Sequence, residues 1–282
     1  MRVLLVGGSG FLGSHLARRL RAEGHEVAVL SRRGSGAVAG ARYLTGDAVQ
    51  GVGLEAVREV DAVVYLAGII REGDQTYQAV HVHGVRRVLE AMAAAGVRRI
   101  VHVSALGARP DAPSRYHTSK AEGEARVQAS GPDWTIFRPS LIFGEGDAFF
   151  GGELLDLVCL PLPFVPLVGS GAYPFRPVWV GDVAAAVVQA LERPQVVGRG
   201  YDLVGPREYR YRDQLLMLLE GNTSGLGPPA RRLRVGTPPP RGRATPHPGS
   251  RIARDLRRSG QRGPLPAACR ARAGSRSTTW RA

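Results

Sequence analysis

Cysteine, lysine and long apolar runs are all scarce in this 282-residue chain, and each scarcity excludes a class of protein. Two cysteines, Cys159 and Cys269, are too few for a disulfide framework, which makes a reducing compartment the expected one. No apolar run reaches the roughly 20 residues that cross a bilayer, so no transmembrane segment is expected. The N-terminus carries one arginine and a short apolar stretch that runs straight into glycines, without the cleavage pattern of a secretory leader. A cytoplasmic protein is the expectation. Lysine is rarer still: of 38 Lys+Arg residues, Lys120 is the one lysine.

Acidic residues are missing from one place. Residues 222–282 hold 14 Arg and a single acid, Asp255, for a net +13, whereas residues 1–221 carry 24 basic and 23 acidic side chains, for a net +1. The overall +14 is therefore a property of the tail. That tail has nine Pro and eight Gly after Thr223, no Phe or Tyr, and no apolar periodicity. It cannot bury enough surface to offset its chain entropy, and disorder is expected. Three readings stay open: a basic arm for nucleic acid or anionic membrane, a neutral extension, or an out-of-frame stretch of a G+C-rich gene. The abrupt break within a helical pattern at residues 214–220 favours the last, and nucleic-acid binding is disfavoured because basic runs alone are weak motifs.

Ahead of the tail, β-branched runs at 3–6, 26–30, 42–44, 62–66, 99–103 and 135–137 alternate with helical patterns at 12–23, 54–59, 76–95 and 114–130. Strands separated by helices imply βαβ units, a parallel sheet and right-handed crossovers. Gly24 and Gly96 fall just past two of the helices, where a left-handed residue is wanted. The expected architecture is α/β, a Rossmann-type doubly wound sheet over residues 1–150. A small, incomplete C-terminal α/β lobe over 151–221 and the tail over 222–282 follow it. Asp182 suits the N-cap of a helix in that lobe, and a further strand and helix are expected at 201–205 and 211–220.

The first strand leads into Gly7-Gly-Ser9-Gly10-Phe11-Leu12-Gly13 and then a helix. Gly7 permits the tight turn, Gly10 the close approach of a pyrophosphate, and Gly13 the packing of helix on sheet. The helix start favours anionic phosphates. Where the second strand ends, Ser31-Arg32-Arg33 offers no acid for ribose hydroxyls but two guanidinium groups for a 2′-phosphate, so NADP(H) is favoured over NAD(H). Asp47 is placed to accept from the adenine amino group, and Leu66, Ala67 and Gly68 are small residues beside the cofactor.

Tyr116 and Lys120 sit one turn apart on one helix face. An ammonium near a phenol favours the phenolate and can hold the nicotinamide ribose, leaving the phenol as acid or base for a carbonyl–alcohol couple. A chain that uses Arg elsewhere has kept Lys here, and the two are not interchangeable. His81, His83 and His102 lack metal-ligand spacing with acidic or Cys partners, and no metal site is expected.

The motifs Gly7-x-x-Gly10-x-x-Gly13, Tyr116-x-x-x-Lys120 and Arg138-Pro-Ser-Leu-Ile-Phe-Gly144, in this order, resemble the short-chain dehydrogenase/reductase superfamily. The likeness is to its extended or atypical branch, which includes the NAD-dependent epimerase/dehydratase proteins. The resemblance implies that Tyr116 and Lys120 are catalytic, that Pro139 and Ser140 border the nicotinamide, and that Ser104 binds the substrate oxygen. Three features depart from the pattern. Ala105 follows Ser104 where a second hydroxyl is usual, His81-Val-His-Gly-Val85 replaces Asn-Val-x-Gly-Thr, and only 12 residues separate Ser104 from Tyr116. With Ser104-Ala-Leu-Gly107 and Lys120-Ala-Glu-Gly-Glu124, these lean toward the atypical subgroup resembling the nucleotide-binding accessory subunit of respiratory complex I. The resemblance implies either an oxidoreductase or epimerase acting on a sugar- or lipid-like carbonyl, or a non-catalytic NADPH-holding subunit that associates peripherally with a respiratory complex.

Overall fold

The protein is represented by a computed structural model that describes residues 1–147, 164–167, 170–213 and 232–235, the two four-residue stretches by their backbone alone. It divides into two units. Unit one comprises residues 1–140 and 180–203, and unit two comprises 141–179 and 204–282.

Unit one is built on seven parallel strands: β1 (Arg2–Val6), β2 (Glu26–Ser31), β3 (Arg42–Thr45), β4 (Ala62–Tyr65), β5 (Arg99–Val103), β6 (Asp133–Pro139) and β11 (Arg199–Leu203). Their spatial order is β3-β2-β1-β4-β5-β6-β11. The chain runs outward from β1 to β3, then crosses back to place β4 on the other side of β1. The crevice at this switch point, beyond the carboxyl ends of β1 and β4, is where such sheets bind ligands.

Val3, Leu4, Leu5 and Val6 are all buried, as are Ala62 through Tyr65, because helices cover both faces of the sheet. Leu4, Val6, Val63, Ile100 and Ile136 share one core cluster with Val85, Val88 and Met92 of α2 (Gly84–Ala95) and Val127 of α3 (Arg115–Ala129). On the opposite face α1 (Phe11–Ala22) packs against α4 (Val180–Glu192). Both expected glycine stops occur. Gly24 and Gly96 have φ of +83° and +71°, and the bonds His25 N–H to Leu20 O and Val97 N–H to Met92 O close Schellman turns.

Three local features differ from the periodicity-based expectation. Residues Leu54–Glu59 form a 3-10 helix, and the segment ahead of α2 is a π-helix over Gln78–His83. The Tyr65 hydroxyl donates to Val80 O at 2.6 Å, a carbonyl that an unbroken α-helix would offer to residue 84. A Cβ at Gly84 would lie 2.5 Å from that hydroxyl, so glycine is needed where the helix passes over Tyr65. The third difference is Asp182, which lies in the first turn of α4 rather than at its N-cap, because the helix begins two residues earlier at Val180.

Residues 180–203, expected in the second lobe, join unit one because β11 pairs with β6. Arg99 fastens this addition, donating to Ala190 O and Thr135 Oγ1 at 2.8 Å each. In unit two, β7 (Ile142–Phe143) pairs in parallel with β10 (Val178–Trp179), and β9 (Pro174–Phe175) pairs antiparallel with β12 (Tyr209–Arg210). The expected helix at 211–220 is described only for 211–213. Most of the 222–282 tail likewise lies outside the described residues. Its one described stretch, β13 (Arg232–Val235), pairs in parallel with β8 (Phe164–Leu167). Among the described residues no helix is long and apolar enough to cross a membrane.

Candidate functional site

A cavity of about 350 Å³ opens at the switch point, lined by the glycine loop, the ends of β2 and β4 and the loop after β3. The loop owes its path to missing side chains. Gly7 has φ +80°, and a Cβ there would lie 2.7 Å from the Ala67 backbone; a Cβ at Gly13 would lie 2.4 Å from Gly8 O. Gly10 differs, since its Cβ would meet only Gly7 O at 3.6 Å, so its missing side chain leaves open space above the start of α1. The N-terminus of α1 has no side-chain cap and no acid in its first turn, which leaves its N–H groups available to an anion.

Of the residues expected to hold the cofactor, Gly7, Ser9, Gly10, Phe11, Leu12, Gly13, Arg32, Asp47, Leu66, Ala67 and Gly68 line this cavity. Arg33 is exposed and does not. Ser31 and Gln75 are among the lining residues that the sequence did not assign to the cofactor. Ser31, at the tip of β2, is buried with a hydroxyl that has no hydrogen-bond partner. Gln75 donates to Asp47 Oδ2 at 3.1 Å while Val49 N–H donates to Asp47 Oδ1 at 2.8 Å, which holds that carboxylate in place. An unpartnered buried hydroxyl, a glycine cradle and free helix N–H groups fit a dinucleotide.

Beside the cavity, α3 carries Tyr116 and Lys120. Lys120 is buried and its Nζ donates to Val103 O at 2.9 Å, at the end of β5. A Cβ on Gly68 would sit 3.7 Å from both Lys120 Nζ and His81 Nε2, so β4, α3 and the π-helix meet at that glycine. Burial lowers the Lys120 pKa to about 8, against a smaller raising effect from Glu124. Against the expectation that Lys120 favours the phenolate, burial, helped by Tyr77, raises the Tyr116 pKa, so the phenol is protonated at neutral pH. Ser104 follows Val103 and is buried with an unpartnered hydroxyl. Pro139 and Ser140 do not line the cavity; Leu106 N–H donates to Pro139 O at 2.9 Å, and Ser140 N–H donates to Leu203 O, at the end of β11, at 2.8 Å.

His81, which stands where relatives of the extended branch carry Asn, has a defined structural task. Ile69 N–H donates to its Nε2 at 3.1 Å, which leaves the proton on Nδ1. Nδ1 then donates to Ser119 Oγ at 2.8 Å, and Ser119 donates to Tyr116 O at 2.8 Å. The ring stacks on Tyr77 and meets Tyr116 edge-on, each at 5.5 Å between centroids. Gly123 permits this approach, because a Cβ there would lie 2.3 Å from His81 O. Glu124 and Arg138 brace the far side of α3 through a forked ion pair with Nε contacts of 2.9 Å.

Burial first, and then the charge of Lys120, lower the His81 pKa to about 3. Between that value and the ordinary one near 6.5 the unfolded chain binds a proton that the folded chain does not. The stability contribution is therefore present above about pH 6.5 and is lost as pH falls toward 3. His81→Asn is expected to cost about 1–3 kcal/mol at pH 7 and to weaken this acid sensitivity. Urea unfolding at pH 7 and pH 5 reads both effects, and an unchanged pH dependence would contradict the assignment.

The fold and cavity define a dinucleotide-binding α/β protein. The chain belongs to the NAD-dependent epimerase/dehydratase family, which it matches over residues 3–204. It is 32% identical over 218 residues to mouse "NADH dehydrogenase [ubiquinone] 1 alpha subcomplex subunit 9, mitochondrial", covering 73% of this chain and 57% of that one. It is 33% identical over 200 residues to "Ceramide reductase" of Caulobacter vibrioides, covering 68% of this chain and 61% of that one. The chain thus spans a little over half the length of these relatives. Among solved structures, the Thermus thermophilus UDP-glucose 4-epimerase complexed with NAD has a TM-score of 0.75 at 25% identity, covering 99% of this chain and 100% of that one.

Proposed function

We propose that this protein is an NADP(H)-dependent oxidoreductase or epimerase acting on a sugar- or lipid-like carbonyl–alcohol couple. The observation that carries the reading is the buried Lys120 ammonium, 3.7 Å from where a Cβ on the cavity-lining Gly68 would lie, with the protonated Tyr116 phenol one turn earlier on the same helix. The glycine loop and α1 would hold the pyrophosphate, and Lys120 the nicotinamide ribose. The bound dinucleotide would supply or accept a hydride. Tyr116 then donates a proton to the oxygen of a carbonyl being reduced, or takes one from an alcohol being oxidised. Ser104 Oγ, buried and unpartnered, has hydrogen-bonding capacity left for the same oxygen. A relative named for ceramide reduction favours a lipid-like substrate.

NADP(H) is favoured by a serine at the tip of β2 and by Arg32 on the cavity wall. A second reading is a non-catalytic NADPH-holding subunit that attaches peripherally to a respiratory complex. Ala105 in place of a hydroxyl and the mouse relative support it.

Thermal unfolding with each dinucleotide is expected to show a larger shift with NADPH than with NADH, and Arg32→Ala should remove the difference. Equal shifts in the unaltered protein would overturn the cofactor assignment. NADPH consumption with long-chain keto substrates, abolished by Tyr116→Phe while binding persists, distinguishes the enzyme from the subunit. No turnover with tight NADPH binding would favour the subunit.

A further inference from the structure

Glu23, His25 and Glu192 come together at the amino-end edge of the sheet, opposite the cavity. Glu23 is the C-cap of α1, His25 precedes β2, and Glu192 ends α4. One donor atom from each lies within 4.8 Å of the others. His25 is 5% exposed, and its Nε2 has no hydrogen-bond partner. That nitrogen lies 3.3 Å from Glu192 Oε1, in ion-pair range but not aligned as a hydrogen bond.

We propose that these three side chains form a site for a zinc-type divalent cation. The edge of a tetrahedron whose ligands stand about 2.0–2.1 Å from a metal is roughly 3.3 Å, the spacing found between His25 Nε2 and Glu192 Oε1. The imidazole is held for the task by its surroundings. Its backbone closes the Schellman turn to Leu20 O at 3.0 Å, and Arg21 donates to its carbonyl at 3.1 Å. Its Nδ1 lies 3.4 Å from the Met1 amino nitrogen; a metal on Nε2 would keep the ring proton on Nδ1, to be accepted by that amine in its neutral form. Arg19 occupies Glu23 Oε1, so the other oxygen of that carboxylate is the one to ligate. Glu192 is half exposed and can close the remaining gap by a rotamer change. Water would complete a four-coordinate shell.

One nitrogen and two carboxylates suit Zn²⁺ or Co²⁺ and are a poor match for Mg²⁺, which demands six oxygens. Glu192 lies far along the chain from Glu23 and His25, so spacing gave no hint of the site. The bound ion would clamp the end of α4 to the α1–β2 turn and would leave the dinucleotide cavity untouched.

The test uses the untagged full chain after chelator treatment. Calorimetric titration with ZnCl₂ should reveal a site that both His25→Gln and Glu192→Gln weaken by about tenfold or more. Zn²⁺ should raise the unfolding temperature where Mg²⁺ does not. Glu192 is surface-exposed, so Glu192→Gln should fold and bind NADPH normally even if His25→Gln does not. Zinc binding that is absent, or unaffected by Glu192→Gln, would overturn the proposal, as would an equal stabilisation by Mg²⁺.

Discussion

Gly13→Ala is expected to abolish dinucleotide binding and to lower the stability of unit one together with it. The new methyl would stand 2.4 Å from Gly8 O and 2.5 Å from Gly8 C and Cα. All three are backbone atoms and cannot swing aside as a side-chain tip can. Either α1 lifts off the sheet, losing the packing of Leu16, Ala17 and Leu20, or the loop moves and its N–H groups no longer point at the phosphates. Overpacking of this kind costs about 1–3 kcal/mol or more. Gly10→Ala provides the contrast, since its Cβ meets nothing nearer than Gly7 O at 3.6 Å. That variant should keep the stability of the unliganded protein while the methyl blocks the phosphate's approach. Unfolding temperatures with and without NADPH separate the two. A Gly13→Ala protein that binds normally would refute the packing argument.

Lys120→Met is expected to strengthen the unliganded fold at neutral pH while removing nicotinamide-ribose binding. Burial lowers the Lys120 pKa from 10.5 to about 8. Between those two values the unfolded chain holds a proton that the folded chain has released, so stability rises with pH across that window. Below about pH 8 both states are charged, and the full penalty of burying the ammonium is present. At about 1.4 kcal/mol per pH unit, that penalty is on the order of 3 kcal/mol. Met fills a similar volume without the charge. It leaves Val103 O without its donor, which returns about 1 kcal/mol. Urea unfolding should therefore show Lys120→Met more stable than the unaltered chain at pH 7, and the difference should narrow toward pH 10. A less stable variant with the same pH slope would show that the ammonium does not carry this penalty. The proposed contact of Lys120 with the cofactor would account for a charge kept where it is costly.

Much of this was legible in the sequence because the signals were local. The strands at β1, β2 and β5 announced themselves as apolar runs, and Gly24 and Gly96 marked helix ends that close as Schellman turns. The glycine loop was readable for the same reason, each glycine serving an approach within a few residues or across one strand. What was not legible depended on long-range convergence. The π-helix at Gln78–His83 coincides with the hydroxyl of Tyr65 reaching Val80 O, and no 3.6-residue periodicity encodes that. Gln75 reaches Asp47 across 28 residues, and His81 reaches Ser119 across 38. In the sequence Ser31 counts only as the absence of an acid beside Arg32 and Arg33; its burial without a hydrogen-bond partner is a property of the folded chain.

The placement of β11 has a consequence for how the protein is made. Unit one begins at the first residue, yet α4 and the seventh strand come from residues 180–203, after a separate stretch of unit two has been synthesised. Until residues 180–192 emerge α1 lacks its partner helix, and until 199–203 emerge β6 presents an unpaired edge. The dinucleotide loop and its first six strands therefore emerge early and wait. Folding of this half is expected to complete in one late step, when β11 pairs with β6 and Arg99 takes hold of Ala190.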